Sequence, residues 1–145
     1  MPSEKTNQAT RAEWRELGFF YDRDDAEKRW RLVGSRTGLQ RFANALAQFA
    51  SNPRNERQSE HEHLGPYMYL EIGSWPEPEI TEHWIAGPLP ALNQLSTEIR
   101  SRLALARDNE VLLFRHSFSP GSPYELSLEL RAETFDPASE DPHCR

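Results

Sequence analysis

Glu60-His61-Glu62-His63-Leu64-Gly65-Pro66-Tyr67-Met68-Tyr69-Leu70-Glu71-Ile72-Gly73-Ser74-Trp75 and its continuation from Pro76 to Gly87 decide the fold. From Tyr67 to Ser74 the chain alternates. Met68, Leu70 and Ile72 point one way, and Tyr67, Tyr69 and Glu71 the other, which is the period of a strand with one wet face. Pro76 and Pro78 bracket a turn. Ile80 to Ala86 then returns, with Ile80 and Trp84 on one face and Thr81, His83 and Ile85 on the other. The short connection predicts an antiparallel pair.

Working outward toward the N-terminus, Lys28 to Gly34 also alternates, with Trp30 and Leu32 opposite Arg29, Arg31 and Val33. Thr37-Gly38-Leu39-Gln40 fits a capping box. Leu39, Phe42, Ala43, Leu46, Phe49 and Ala50 follow at helical spacing until Pro53. Toward the C-terminus, Pro88 and Pro90 open a second helix with Leu92, Leu95, Ile99, Leu103 and Ala106 as its apolar stripe. Glu110 to Ser119 reads as a strand, residues 119–123 as a loop, and Tyr124 to Arg131 as a final alternating strand.

A repeat runs through this order. Aligning Gly34 with Gly87 places Leu39 on Leu92, Phe42 on Leu95 and Leu46 on Ile99. Pro66 to Ile72 echoes Pro123 to Leu130 less regularly. Two tandem strand–helix–strand units predict an α+β two-layer sandwich. The expected form is a ferredoxin-like βαββαβ fold with an added C-terminal strand and two helices on one face of an antiparallel sheet. Residues 1–17 are expected to be a polar N-terminal arm able to form a short helix. Residues 18–132 form the single domain, and residues 133–145 read as a disordered acidic tail.

The bulk composition narrows the function. With 145 residues, one domain is expected. The net charge of −6 argues against nucleic acid, whose phosphates call for Lys and Arg. No apolar run approaches a membrane span, and Met1 to Arg11 has no apolar core of a secretory signal, so cytoplasmic residence is expected. The single cysteine, Cys144, reads as a tail thiol. There is no phosphate loop, dinucleotide fingerprint or Gly-x-Ser-x-Gly elbow, so neither a cofactor nor catalytic residues are assigned.

Two candidate sites remain. His61 and His63 lie two apart, on one face if the segment is a strand, so their imidazoles can chelate a metal. A third ligand is sought among His83, His116, Glu60 and Glu62. The open sheet face is the second candidate. Tyr67, Tyr69, Glu71 and His83, with Arg29, Arg31 and Thr81, would share it, Trp75 standing at its turn and Glu60 and Glu62 adding acidity. Tyr and Trp supply rigid amphipathic contact area for protein partners.

The run from Glu60 to Leu70, then Trp75, Pro78-Glu79-Ile80 and Ile85-Ala86-Gly87, resembles small uncharacterised bacterial proteins. It is also similar to the immunity proteins of bacterial polymorphic toxin systems, in particular the immunity protein 32 family. The resemblance spans roughly Leu32 to Leu103. It implies an acidic α+β protein that binds and blocks a cognate toxin without catalysis, and the chain's acidity favours a basic toxin domain as that partner. The expected function is therefore a non-catalytic binding protein, an immunity-type inhibitor. The alternatives are a metal-dependent enzyme using the His-x-His site, with Glu62 as general base, and a homodimer joined through its open sheet face.

Overall fold

The computed structural model describes residues 3–57 and 59–144. It is a mixed α+β fold. Helix α1 (Glu4–Leu17) begins at Ser3, whose hydroxyl accepts from the Thr6 amide, and stops at Gly18 in a left-handed turn. Strands β1 (Phe19–Asp24) and β2 (Arg29–Ser35) form a hairpin. Helix α2 (Arg36–Ser51) follows, then strands β3 (His61–Leu64) and β4 (Leu70–Ser74). Two short strands, β5 (Glu79–Ile80) and β6 (Ile85–Gly87), lead into α3 (Leu89–Leu105). Strand β7 (Val111–Leu113), the one-turn helix α4 (Arg115–Phe118) and β8 (Glu125–Arg131) complete the core. The N-cap of α2 is Ser35, which accepts from the Gly38 amide. Thr37, expected to cap, instead bonds the Glu133 carboxylate through both amide and hydroxyl.

The expected single antiparallel sheet divides into two four-stranded sheets, ordered β1-β2-β8-β7 and β3-β4-β6-β5. In each, the central pair is parallel and the flanking pairs are antiparallel. The physical reason is that each half of the chain brings two hairpins, and each hairpin pairs with one from the other half. The expected antiparallel return after Pro76 fails for a related reason. The chain reverses twice, once at 75–78 and again at 81–84, so Ile85 runs parallel to Ile72. The stretch from Glu110 likewise keeps only three strand residues before it coils into α4.

The repeat takes physical form in the helices. Leu39, Phe42, Ala43, Leu46 and Phe49 on α2 and Leu92, Leu95, Ile99 and Leu103 on α3 are all buried. Where the helices meet, the Ser96 hydroxyl donates to the Ala43 carbonyl at 2.6 Å, across 53 positions of sequence. That is the spacing that superposes Gly34 on Gly87, so the helices touch at equivalent positions. Each large aliphatic contributes about 1.5–3 kcal/mol on burial. The surface Glu98–Arg102 pair contributes at most a few tenths, so packing sets the helix positions.

Of the expected disordered tail at 133–145, Arg145 lies outside the described residues, and residues 133–144 form two short 3-10 turns packed on α1. Their acidic side chains find partners far away in sequence. Asp136 pairs with Arg15 at 3.0 Å, and the Cys144 carbonyl accepts from Arg11 at 2.7 Å. Buried Asp141 accepts from Trp14 Nε1 at 2.8 Å, from the Tyr67 hydroxyl at 2.6 Å and from the His143 amide at 2.9 Å. Cys144 is buried and donates to the same carboxylate. Arg31, expected on an open face, is enclosed beside Glu129 and Asp22.

Burial alone would push the Asp141 carboxyl up, but the hydrogen bonds from Tyr67, Trp14, His143 and Cys144 outweigh it and hold the group below the usual carboxylate range. A depressed folded value contributes stability that is present above the unfolded value of about 3.9 and lost as pH falls through the folded one. Asp141→Asn keeps the shape but turns an amide toward the His143 N–H. At neutral pH the variant should be about 1–3 kcal/mol less stable. In thermal melts this gap should close below about pH 4. A gap unchanged at acid pH would show that the charge is not what holds the tail.

Candidate functional site

Gly65 is left-handed at φ 83°, and a β-carbon there would strike the Tyr21 ring. The chain therefore hugs Tyr21 at this turn. The Tyr21 hydroxyl donates to the Leu64 carbonyl and accepts from the Tyr69 amide. His63 Nδ1 bonds the Met68 carbonyl at 2.9 Å, and the Tyr67 hydroxyl reaches Asp141. Met68 itself stands at φ 57°, a left-handed conformation that costs a non-glycine residue about 1–2 kcal/mol. The surrounding hydrogen bonds hold it there.

This turn presents Tyr67, Met68 and Tyr69 to solvent, exposed by 37%, 58% and 68%. The expected outward tyrosines and inward Leu70 and Ile72 are present. Met68, expected inside, is out because the strand begins only at Leu70. Beside the turn lies an open cleft of about 550 Å³, lined among others by Phe20, Trp30, Arg23, Tyr69 and His143. Burial pushes the Tyr67 phenol well above its ordinary value, and the neighbouring Asp141 carboxylate adds to the rise, so Tyr67 serves as a neutral donor.

The outer face of the second sheet continues from this turn. Cross-strand register sets His63 against Glu71 and His61 against Gly73. Trp84 lies over Gly73, its ring atoms 2.5 Å from where a β-carbon would be. Trp75, 37% exposed, packs edge-on to Trp84 with centroids 5.5 Å apart. Aromatic groups thus mark both ends of this face, with His61, His63 and Glu71 between them.

The remaining expected site residues fall elsewhere. Glu62 pairs with Ile72 and so occupies the opposite face of β3 from the histidines, which removes it as a general base for a metal held there. Glu60 lies in the preceding turn, where its carbonyl accepts from Ser74. His83 is highly exposed on the β5–β6 turn beside Glu82, and His116 belongs to α4. The third group that joins His61 and His63 is Glu71, not any of those four. Met68, Trp84 and Asp141 went unforeseen. For Glu71 the signal was present, since a hairpin closed by Gly65-Pro66 sets it opposite His63.

Among the described residues, no helix is long and apolar enough to cross a membrane. Comparison of the chain with protein-family models, with curated proteins and with solved structures finds no match.

Proposed function

We propose that this is a non-catalytic protein-binding protein whose docking surface is the 65–69 turn and the adjoining outer face of the second sheet. One observation carries the reading: Tyr67, Met68 and Tyr69 are exposed together on a backbone held by Tyr21 and His63, with the Tyr67 hydroxyl anchored on Asp141. Rigid aromatic side chains lose little entropy on association, and pre-organisation converts contact area into affinity. The net charge of −6 favours a basic partner through faster encounter. An immunity-type inhibitor of a basic bacterial toxin domain fits this surface, and the resemblance of the 60–87 stretch supports that finer reading.

The test is association with a basic toxin domain encoded beside this chain's gene, measured by surface-immobilised binding kinetics. Tyr69→Ala should weaken binding by about 2 kcal/mol, some thirtyfold, if Tyr69 is an anchor. Its melting temperature should not move, because the side chain lies mostly in solvent. Absence of such a domain, no association with it, or equal binding by Tyr69→Ala would overturn the respective reading.

A further inference from the structure

The geometry points to a divalent transition-metal site of the zinc class on the outer face of the β3–β4 hairpin, held by His61, His63 and Glu71. One donor atom from each residue lies within 4.8 Å of the others. Ligands bound at about 2.0–2.1 Å around a tetrahedral ion stand roughly 3.3 Å apart, so side-chain adjustments must draw the three donors together to close the set. All three side chains can make them, since none is buried.

The backbone fixes the placement. His61 and His63 share one face of β3, two residues apart, and Glu71 is the direct cross-strand partner of His63. The imidazoles stand edge to face with centroids 5.0 Å apart.

The tautomers also suit ligation. His61 Nδ1 lies 3.0 Å from the Ser59 carbonyl, and His63 Nδ1 lies 2.9 Å from the Met68 carbonyl. A carbonyl only accepts, so each Nδ1 carries the proton and each Nε2 keeps its lone pair. Ligating histidines characteristically donate the other ring N–H to a backbone carbonyl or carboxylate. Glu71 Oε1 stands 3.4 Å from His63 Nδ1, so ligation through Nε2 requires the half-exposed carboxylate to turn from the Nδ1 edge of the ring. Two imidazoles and one carboxylate match zinc and neighbouring first-row ions and leave a position for water.

Metal at this site would act on the docking turn. His63 holds the Met68 carbonyl, so fixing the imidazole fixes the backbone that displays Tyr67, Met68 and Tyr69. The site itself does not depend on the docking reading, because metal binding is measurable with no partner present.

The experiment uses full-length chain carrying no affinity tag and stripped with a chelator. Zn²⁺ is titrated calorimetrically, and Co²⁺ by its visible d–d absorption. One ion per chain is expected, with affinity falling at least about tenfold in each of His61→Ala, His63→Ala and Glu71→Gln. His83→Ala and Cys144→Ser should bind as the wild type does. Imidazole nitrogen NMR on the unmutated protein gives a reading independent of variant folding. Zn²⁺ should shift Nε2 of His61 and His63 and leave His83, His116 and His143 in place. No saturable binding, binding indifferent to the three substitutions, or shifts confined to other histidines would overturn the site.

Discussion

Trp14→Ala is expected to lower the unfolding free energy by about 3–5 kcal/mol. The indole is fully buried, with ring centroids 4.9 Å from Phe20, 5.2 Å from Tyr21 and 5.9 Å from Tyr67. Truncation leaves a cavity where α1, β1, the Tyr67 turn and the C-terminal residues meet. It also withdraws one of the donors that hold Asp141. Trp14→Phe keeps most of the ring but loses the N–H, and should cost clearly less. Urea denaturation at neutral pH checks both. If Trp14→Ala unfolds within about 1 kcal/mol of the wild type, α1 does not belong to the cooperative core.

Gly38→Ala should reverse the ordinary sign of a helix substitution. In a solvent-exposed helix, glycine to alanine stabilises by about 0.8–1.0 kcal/mol. Gly38 lies in the first turn of α2, where a β-carbon would collide with the Gly18 carbonyl oxygen and sit 3.2 Å from Ser35 Oγ. The obstacle is backbone, and it is fixed. Gly18 closes α1 by donating its N–H to the Trp14 carbonyl and by its φ of 96°. The corner between α1 and β1 would have to lift off α2, at a cost of about 3 kcal/mol or more. Gly121 has nothing within 4 Å of an added β-carbon, so Gly121→Ala is a suitable control. A neutral or stabilised Gly38→Ala would mean that this corner is free to move.

What the sequence disclosed, and what it concealed, follows from the range of each signal. The stripes from Leu39 to Phe49 and from Leu92 to Leu103 were legible because helical periodicity is local. The repeat was legible because Gly34 and Gly87 recur with the same apolar sequel. Leu70 and Ile72 were placed inward correctly by alternation. Alternation tells which way a side chain points and nothing about which strand lies alongside, so β2 beside β8 and β4 beside β6 stayed hidden. Asp141 reads as tail acidity until its partner Trp14, 127 positions away, is known. Ser127 and Glu129 look like the wet side of β8, yet both are buried, with Arg31 and Arg131 enclosing Glu129.

The exchange of hairpins between the two halves has a consequence for how the molecule can come apart. Neither half owns a whole sheet, since cutting between β4 and β5 would split both at their parallel seams. The β2–β8 seam joins Trp30 to Ser127 across 97 positions, so it closes only after nearly all the chain exists. Proteolysis in the 75–78 connection should therefore yield fragments that persist clasped together or collapse together, never a stable half-molecule.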